Sequence, residues 1–229
     1  MSDLSRKVLD RINAIMQPVA DLQGNPLRWF FCFGTLEEYI ADMTFELNFD
    51  IDIGLFYGDT DVGAFTRVWE GMGYKLTKRV INDVTKEPFN LHFEPVMEDT
   101  KKTPTVDVYF WYEHKGIMYH TYDVKKEGRD IPSSYTFKGI PKEFIVPPQS
   151  QIDEIRKSGP EMSQMLDKNG IWHYDVFGDH SGYKFRCPFA YGTLLDEWDP
   201  GWRFRDYRRG QSKSRWIVKM KSCCEWGKK

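Results

Sequence analysis

Cysteine is scarce in this 229-residue chain, with Cys32, Cys187, Cys223 and Cys224 making up the whole complement. They form no Cys-x-x-Cys pair and have no histidine partners at zinc-finger distances, so reduced thiols in a cytosolic protein are expected. The histidines His92, His114, His120, His173 and His180 form no His-Glu-x-x-His motif and no tight cluster, and are read as surface or satisfied core residues. No apolar run approaches the ~20 residues that a membrane span requires. The opening Met-Ser-Asp-Leu-Ser-Arg-Lys lacks the apolar core of a signal peptide. A soluble, cytoplasmic protein with no membrane span is therefore the expectation. Repeats are missing too: the second Gly-Thr-Leu, at Gly192-Thr193-Leu194, has no Asp-x-Asp after it and is read as coincidence.

Apolar residues are plentiful, at 41% of the chain, enough to bury a core. The formal net charge of -2 conceals an asymmetry. Residues 1–200 hold 22 Lys and Arg against 32 Asp and Glu, whereas residues 201–229 hold 10 against 2. The acidic body, residues 1–200, is read as one domain and the basic, aromatic stretch 201–229 as a tail docked on it. In that tail, Trp202-Arg-Phe-Arg-Asp-Tyr-Arg-Arg209 interleaves cations with rings. Three uses are open for it: a clamp on substrate phosphate through Arg203 and Arg205, a nucleic-acid surface, or an offset for the acidic body.

Periodicity orders the elements. Leu4, Val8, Ile12 and Ile15 form a helical stripe over 4–16, which Pro18 and Gly24-Asn25-Pro26 are expected to close. Leu27–Phe33 reads as a strand buried on both faces. Thr35-Leu-Glu-Glu38 has the form of a capping box for a helix running to about Leu47. A strand over Phe49–Leu55, a turn and cap at Gly58–Asp61 and a helix over 61–71 follow. Tyr74–Ile81, Phe89–Phe93, Thr105–Tyr112 and Ile117–Tyr122 read as successive antiparallel strands, which Ser134–Phe137 extends. After the Pro-rich Ile140–Pro148, residues 150–168 read as a helix, and Tyr183–Trp198 as a short strand and a short helix. The fold class predicted is α+β, a mixed β-sheet with helices on one side.

The chemistry concentrates in Asn48-Phe-Asp-Ile-Asp-Ile-Gly54. On a strand, Asp50 and Asp52 share one face while Phe49, Ile51 and Ile53 turn to the other. Two carboxylates so placed repel each other and favour a divalent cation, and their hard oxygens suit Mg2+ or Mn2+. Asp107 lies inside the β-prone Thr105–Tyr112 run, where an acid is costly to bury unless a cation or donor meets it. Three carboxylates on neighbouring strands are a set that can hold Mg2+ against a di- or triphosphate, with one of them alternatively serving as general base. Gly34 and Thr35, at a helix start, would face donor phosphate.

A strand ending in Gly34-Thr35-Leu36, then a helix, then Asp50-Ile-Asp-Ile-Gly54 resembles the nucleotidyltransferase superfamily, and within it the LicD/fukutin-like family. Val106-Asp-Val-Tyr-Phe-Trp-Tyr112 is similar to that family's later Asp-containing strand. Tyr135-Thr-Phe-Lys-Gly139, Val146-Pro-Pro148 and Tyr191-Gly…Trp198-Asp-Pro200 are similar to its weaker C-terminal pattern. The resemblance implies a nucleotidyltransferase-like fold. It also implies transfer of a phosphorylated small group, phosphocholine- or polyol-phosphate-like, from a CDP-activated donor to a glycan. It implies metal ligation by Asp50 and Asp52, with Asp107 as third ligand or base. The chain departs from the pattern at Glu37-Glu38-Tyr39, where the family carries an Arg, and at Glu46–Phe49, where it carries Trp-Asp-Asp.

Other readings stand beside this one. Asp50 and Asp52 could face water from a solvated strand, Asp107 could pair with a Lys or Arg, and Thr35 could be a helix cap alone. At the level of function, the rivals are an Asp-x-Asp glycosyltransferase using a nucleotide-sugar and a catalytically degenerate family member binding glycan or nucleic acid.

Overall fold

The computed structural model describes residues 3–23, 27–42, 50–81, 87–96, 103–120, 140–159, 165–167, 170–175 and 184–198. Strict alternation puts Asp50–Phe56 into strand β2, with Ile51, Ile53 and Leu55 fully buried. It lies between β1 (Trp29–Phe31), which is antiparallel to it, and β5 (Thr105–His114), which is parallel. Strand β4 (Pro88–Pro95) runs antiparallel to the other side of β5, and β3 (Tyr74–Ile81) closes the order β1-β2-β5-β4-β3.

The far end of β5 curls away from β4. There Tyr112–His114 pair with β6 (Ile117–Tyr119) through a two-residue turn whose Lys115 and Gly116 both have positive φ, 50° and 77°. That geometry suits the right-handed twist of a hairpin, and glycine supplies one of the two positions without strain. Strand β6 also pairs with the short β7 (Ile140–Pro141). A second sheet, β8 (Trp172–Asp175) with β9 (Lys184–Cys187), docks on β1: the Phe185 ring stacks on Phe31 at 4.6 Å.

One face of the main sheet offers Ile51, Ile53, Leu55, Val106, Val108, Leu91 and Phe93 to α1 (Asp3–Gln23) and α3 (Val62–Gly71). Leu9, Ile12, Ile15, Met16 and Val19 of α1 join Phe65 and Trp69 of α3 in that core. Each such side chain contributes roughly 1.5–3 kcal/mol by leaving water. The opposite face carries a second apolar cluster, of Phe30, Cys32, Phe56, Tyr109 and Trp111 with Met118, Ile140, Ile145, Ile171 and Leu194. Leu194 comes from α5 (Tyr191–Trp198), so apolar layers cover both faces and the expectation of helices on one side is corrected.

Other boundaries also differ from the sequence reading. Helix α1 continues through Pro18 to Gln23. Proline deprives the Ala14 carbonyl of its donor, but Ala14 and Pro18 are both exposed and water can replace it, while Val19 prolongs the buried stripe. Helix α2 (Phe33–Asp42) starts two residues before Thr35. The helix expected over 150–168 is the shorter α4 (Gln149–Lys157). It ends where the Ser158 hydroxyl donates to the Ile155 carbonyl, Gly159 adopts φ 140° and Pro160 follows in sequence. The turn before α3 is as expected, with Asp61 capping the helix by accepting from the Ala64 N–H at 2.9 Å. The strand proposed at Ser134–Phe137 lies outside the described residues, as does the stretch 43–49. Among the described residues, no helix is long and apolar enough to cross a membrane.

Candidate functional site

The parallel pairing of β2 with β5 sets Asp52 directly beside Asp107, with Asp50 beside Thr105. Lateral neighbours in a sheet share a face and lie about 4.8 Å apart. Asp50, Asp52 and Asp107 therefore stand on the face opposite Ile51 and Ile53. Exposure falls inward from Asp50, which is open to solvent, through Asp107, whose side chain is 20% exposed, to Asp52 at 8%.

Each carboxylate has one oxygen held by a donor from a neighbouring element. The Thr105 hydroxyl donates to Oδ1 of Asp50. The backbone N–H of Thr35, in the first turn of α2, donates to Oδ2 of Asp52 at 3.3 Å. Oδ1 of Asp107 faces Nδ1 of His92 at 2.9 Å and Nδ2 of Asn90 at 3.4 Å, both presented by β4. His92 is the register partner of Asp107.

Thr35 works as a fastener between α2 and β2 rather than as the expected cap. Its hydroxyl accepts the Asp52 N–H at 2.7 Å and donates to the Asp50 carbonyl at 3.4 Å. The correction has a physical basis: Thr35 is fully buried inside the first turn, where its hydroxyl meets the edge of β2 instead of its own helix. Gly34 is the residue before it, half-buried at the same helix start. Phe33, which opens the helix, has φ 43°, a strained value for a bulky residue, and its ring sits edge-on to Tyr109 at 4.7 Å.

Charge is expensive here. Burial, then Asp107, then Asp50 push the Asp52 carboxyl up to about 7, against the lowering effect of the Thr35 N–H and of a hydrogen bond from Tyr109. His92 is displaced in the same direction for the opposite reason, since the Asp107 carboxylate stabilises its cation. Burial, Asp52 and Asp107 together raise the Cys32 thiol well above its usual range, which leaves it unreactive. His120, fully buried among Phe33, Phe89, Tyr109 and Trp111, is pushed down to about 4 by burial and stays neutral. It is a core histidine.

Among the described residues, no group of three or more His, Cys, Asp and Glu side chains is gathered as a ready-made metal cage. The residues present nonetheless fit Mg2+ or Mn2+, which takes one or two protein carboxylates and completes its shell with water and substrate oxygens. Two side-by-side carboxylates, each braced by hydrogen-bond donors and one of them disfavoured as a bare anion, are a donor set of that kind.

His92, Asn90 and Tyr109 are the site-lining residues that sequence reasoning missed. A trace was there: Asn90 and His92 interleave with Phe89, Leu91 and Phe93, marking a strand with a polar inner face. Arg203 and Arg205 lie outside the described residues. A groove of about 540 Å³, lined by Arg28, Lys142 and Arg156 among others, lies at the other end of β2. There the Phe56 N–H meets the Arg28 carbonyl, about 20 Å along the strand from Asp50. Comparison of the chain with protein-family models and with curated proteins finds no match.

Proposed function

We propose that this protein is a metal-dependent transferase with a nucleotidyltransferase-like sheet, acting at the Asp50–Asp52–Asp107 face. It would move a phosphorylated small group, or a nucleotidyl group, from a nucleotide-activated donor, CDP-linked by the family resemblance, to a hydroxyl acceptor such as a glycan. The observation that carries the reading is the lateral pair Asp52–Asp107 on adjacent parallel strands, with Asp52 pushed up to about 7 by its surroundings. Such a perturbed acid at a partly open face supports reading it as a site.

Asp50, Asp52 and Asp107 would hold Mg2+ or Mn2+, which when bound would offset phosphate charge and orient the transferring group. At the start of α2 the Thr35 N–H already points at this face, where it meets Asp52, and Gly34 beside it would allow an anionic donor to approach closely. Thr35 holds β2 and α2 in fixed relation, so the acids and the helix start keep their spacing. Arg203 and Arg205, in the basic stretch 201–229, would contact donor or acceptor phosphate.

The test is thermal unfolding with Mg2+ or Mn2+ and a panel of nucleotides, for wild type and an Asp50→Asn, Asp52→Asn double variant. A ligand at 100 times its dissociation constant adds about 2.7 kcal/mol. Stabilisation of wild type by a cytidine nucleotide with metal, absent in the variant, is the expected result. Equal responses of both proteins overturn the proposal.

A further inference from the structure

We propose that His92 is the positioning residue of the acidic site: its Nδ1–H fixes Oδ1 of Asp107 and so sets how tightly the site holds a divalent cation. This inference rests on the metal-site reading above. Asp107 stands beside Asp52 in register, and two carboxylates so placed swing apart unless something restrains them. Restraint comes from β4. His92 lies directly across from Asp107, at 2.9 Å from Nδ1 to Oδ1, and Asn90 Nδ2 reaches the same oxygen at 3.4 Å. Because the group facing Nδ1 is a carboxylate, Nδ1 carries the proton and donates. Both donors converge on one oxygen, which leaves the other for a cation.

The far side of the imidazole faces a second carboxylate. Its Nε2 lies 3.6 Å from Oε1 of Glu94, and the Thr77 hydroxyl donates to that same Glu94 oxygen at 3.3 Å. Thr77, Glu94, His92 and Asp107 thus form a chain from the edge strand β3 across β4 to β5. The chain has the form of an outer shell, in which partners of a ligating carboxylate fix its rotamer ahead of binding.

The experiment uses the full chain, stripped with EDTA and titrated with Mn2+ alone, the free ion being counted by its paramagnetic resonance signal. His92→Ala removes the donor. His92→Asn keeps an amide N–H at the δ position. Asp107→Asn removes the charge. Loss of an outer-shell partner typically weakens metal binding by about 10–100-fold. We expect that loss in His92→Ala, near wild-type affinity in His92→Asn, and the greatest loss in Asp107→Asn. If His92→Ala does not fold by far-UV circular dichroism, His92→Gln replaces it, with its amide one atom too far out, and the same weakening is expected. Wild-type affinity in the Ala or Gln variant, or an Asn variant as weak as either, overturns the role of His92 while leaving the metal site standing. No Mn2+ binding by wild type overturns both.

Discussion

Replacing Asp52 with asparagine should make the metal-free protein more stable, by an amount that grows with pH. The ordinary aspartate pKa is about 3.9, whereas Asp52 in the fold is pushed up to about 7. Between those values the native state keeps a proton that the unfolded chain has released. Native stability therefore falls as pH rises through this window, by about 1.4 kcal/mol per pH unit, and levels off above it. The full penalty is about 4 kcal/mol, of which more than half develops between pH 5 and pH 8.

Asparagine suits the position. Its carbonyl can accept from Thr35 N–H as Oδ2 does now, and its amide can donate toward the carboxylates of Asp107 and Asp50. Urea unfolding in EDTA at pH 5 and pH 8 measures the effect. The variant's advantage over wild type should widen by about 2–3 kcal/mol between the two pH values. Saturating Mn2+ at pH 8 should narrow the gap, since only wild type gains from binding. An advantage that stays flat with pH, or shrinks as pH rises, refutes the account of Asp52 as an acid kept neutral by burial and by Asp107.

Two packing predictions follow from the same sheet. At Gly54 a Cβ would meet the Phe30 ring at 2.6 Å and Trp111 Nε1 at 3.0 Å, and both aromatic residues are buried. Gly54→Ala should cost about 1–3 kcal/mol or more in urea unfolding, and an unchanged midpoint would show that Phe30 has room to move. Arg186 pairs with Asp167, donates from Nε to the Trp29 carbonyl at 3.0 Å and lies over the Trp29 ring, with both charged side chains only 14% exposed. Arg186→Ala should destabilise by about 3–5 kcal/mol, with part of the loss recovered in an Arg186→Ala, Asp167→Asn double variant, whose side-chain carbonyl can still accept the Ile171 N–H. No recovery there would place the stabilisation in the Trp29 contacts instead of the ion pair.

Local pattern made β2, β5 and α3 legible, because alternating or helical spacing survives in the sequence wherever one face meets a core. Asp50 and Asp52 were legible for the same reason, as polar residues at positions opposite Ile51 and Ile53. What local pattern does not carry is which strands become neighbours. The reading could require an acid from an adjacent strand, but the side-by-side placement of Asp52 and Asp107 depends on a parallel crossover that encloses α3, β3 and β4. His92 was hidden by the same gap, since a lone histidine gains meaning only from the Asp107 opposite it. Pro18 misled by a different route: the rule that proline ends a helix is local, whereas the buried stripe continuing to Val19 is a tertiary gain that outweighs it.

The register that joins the acids is guarded by the core behind them. Slipping β2 by one residue against β5 would move Ile51, Ile53 and Leu55 from a dry layer to the face now held by Asp50 and Asp52. It would also drive both carboxylates into the α1–α3 core, at a cost no native domain of ordinary stability, about 5–15 kcal/mol, could bear. The apolar alternation therefore fixes the position of Asp52 as firmly as its own contacts do. Yet the position so fixed is an unfavourable one for a bare carboxylate, buried from water with Asp107 alongside and Asp50 close by. A neutral side chain there would leave the core unchanged and relieve about 4 kcal/mol at alkaline pH. The proposed cation, shared between Asp52 and Asp107, would remove that penalty at its source.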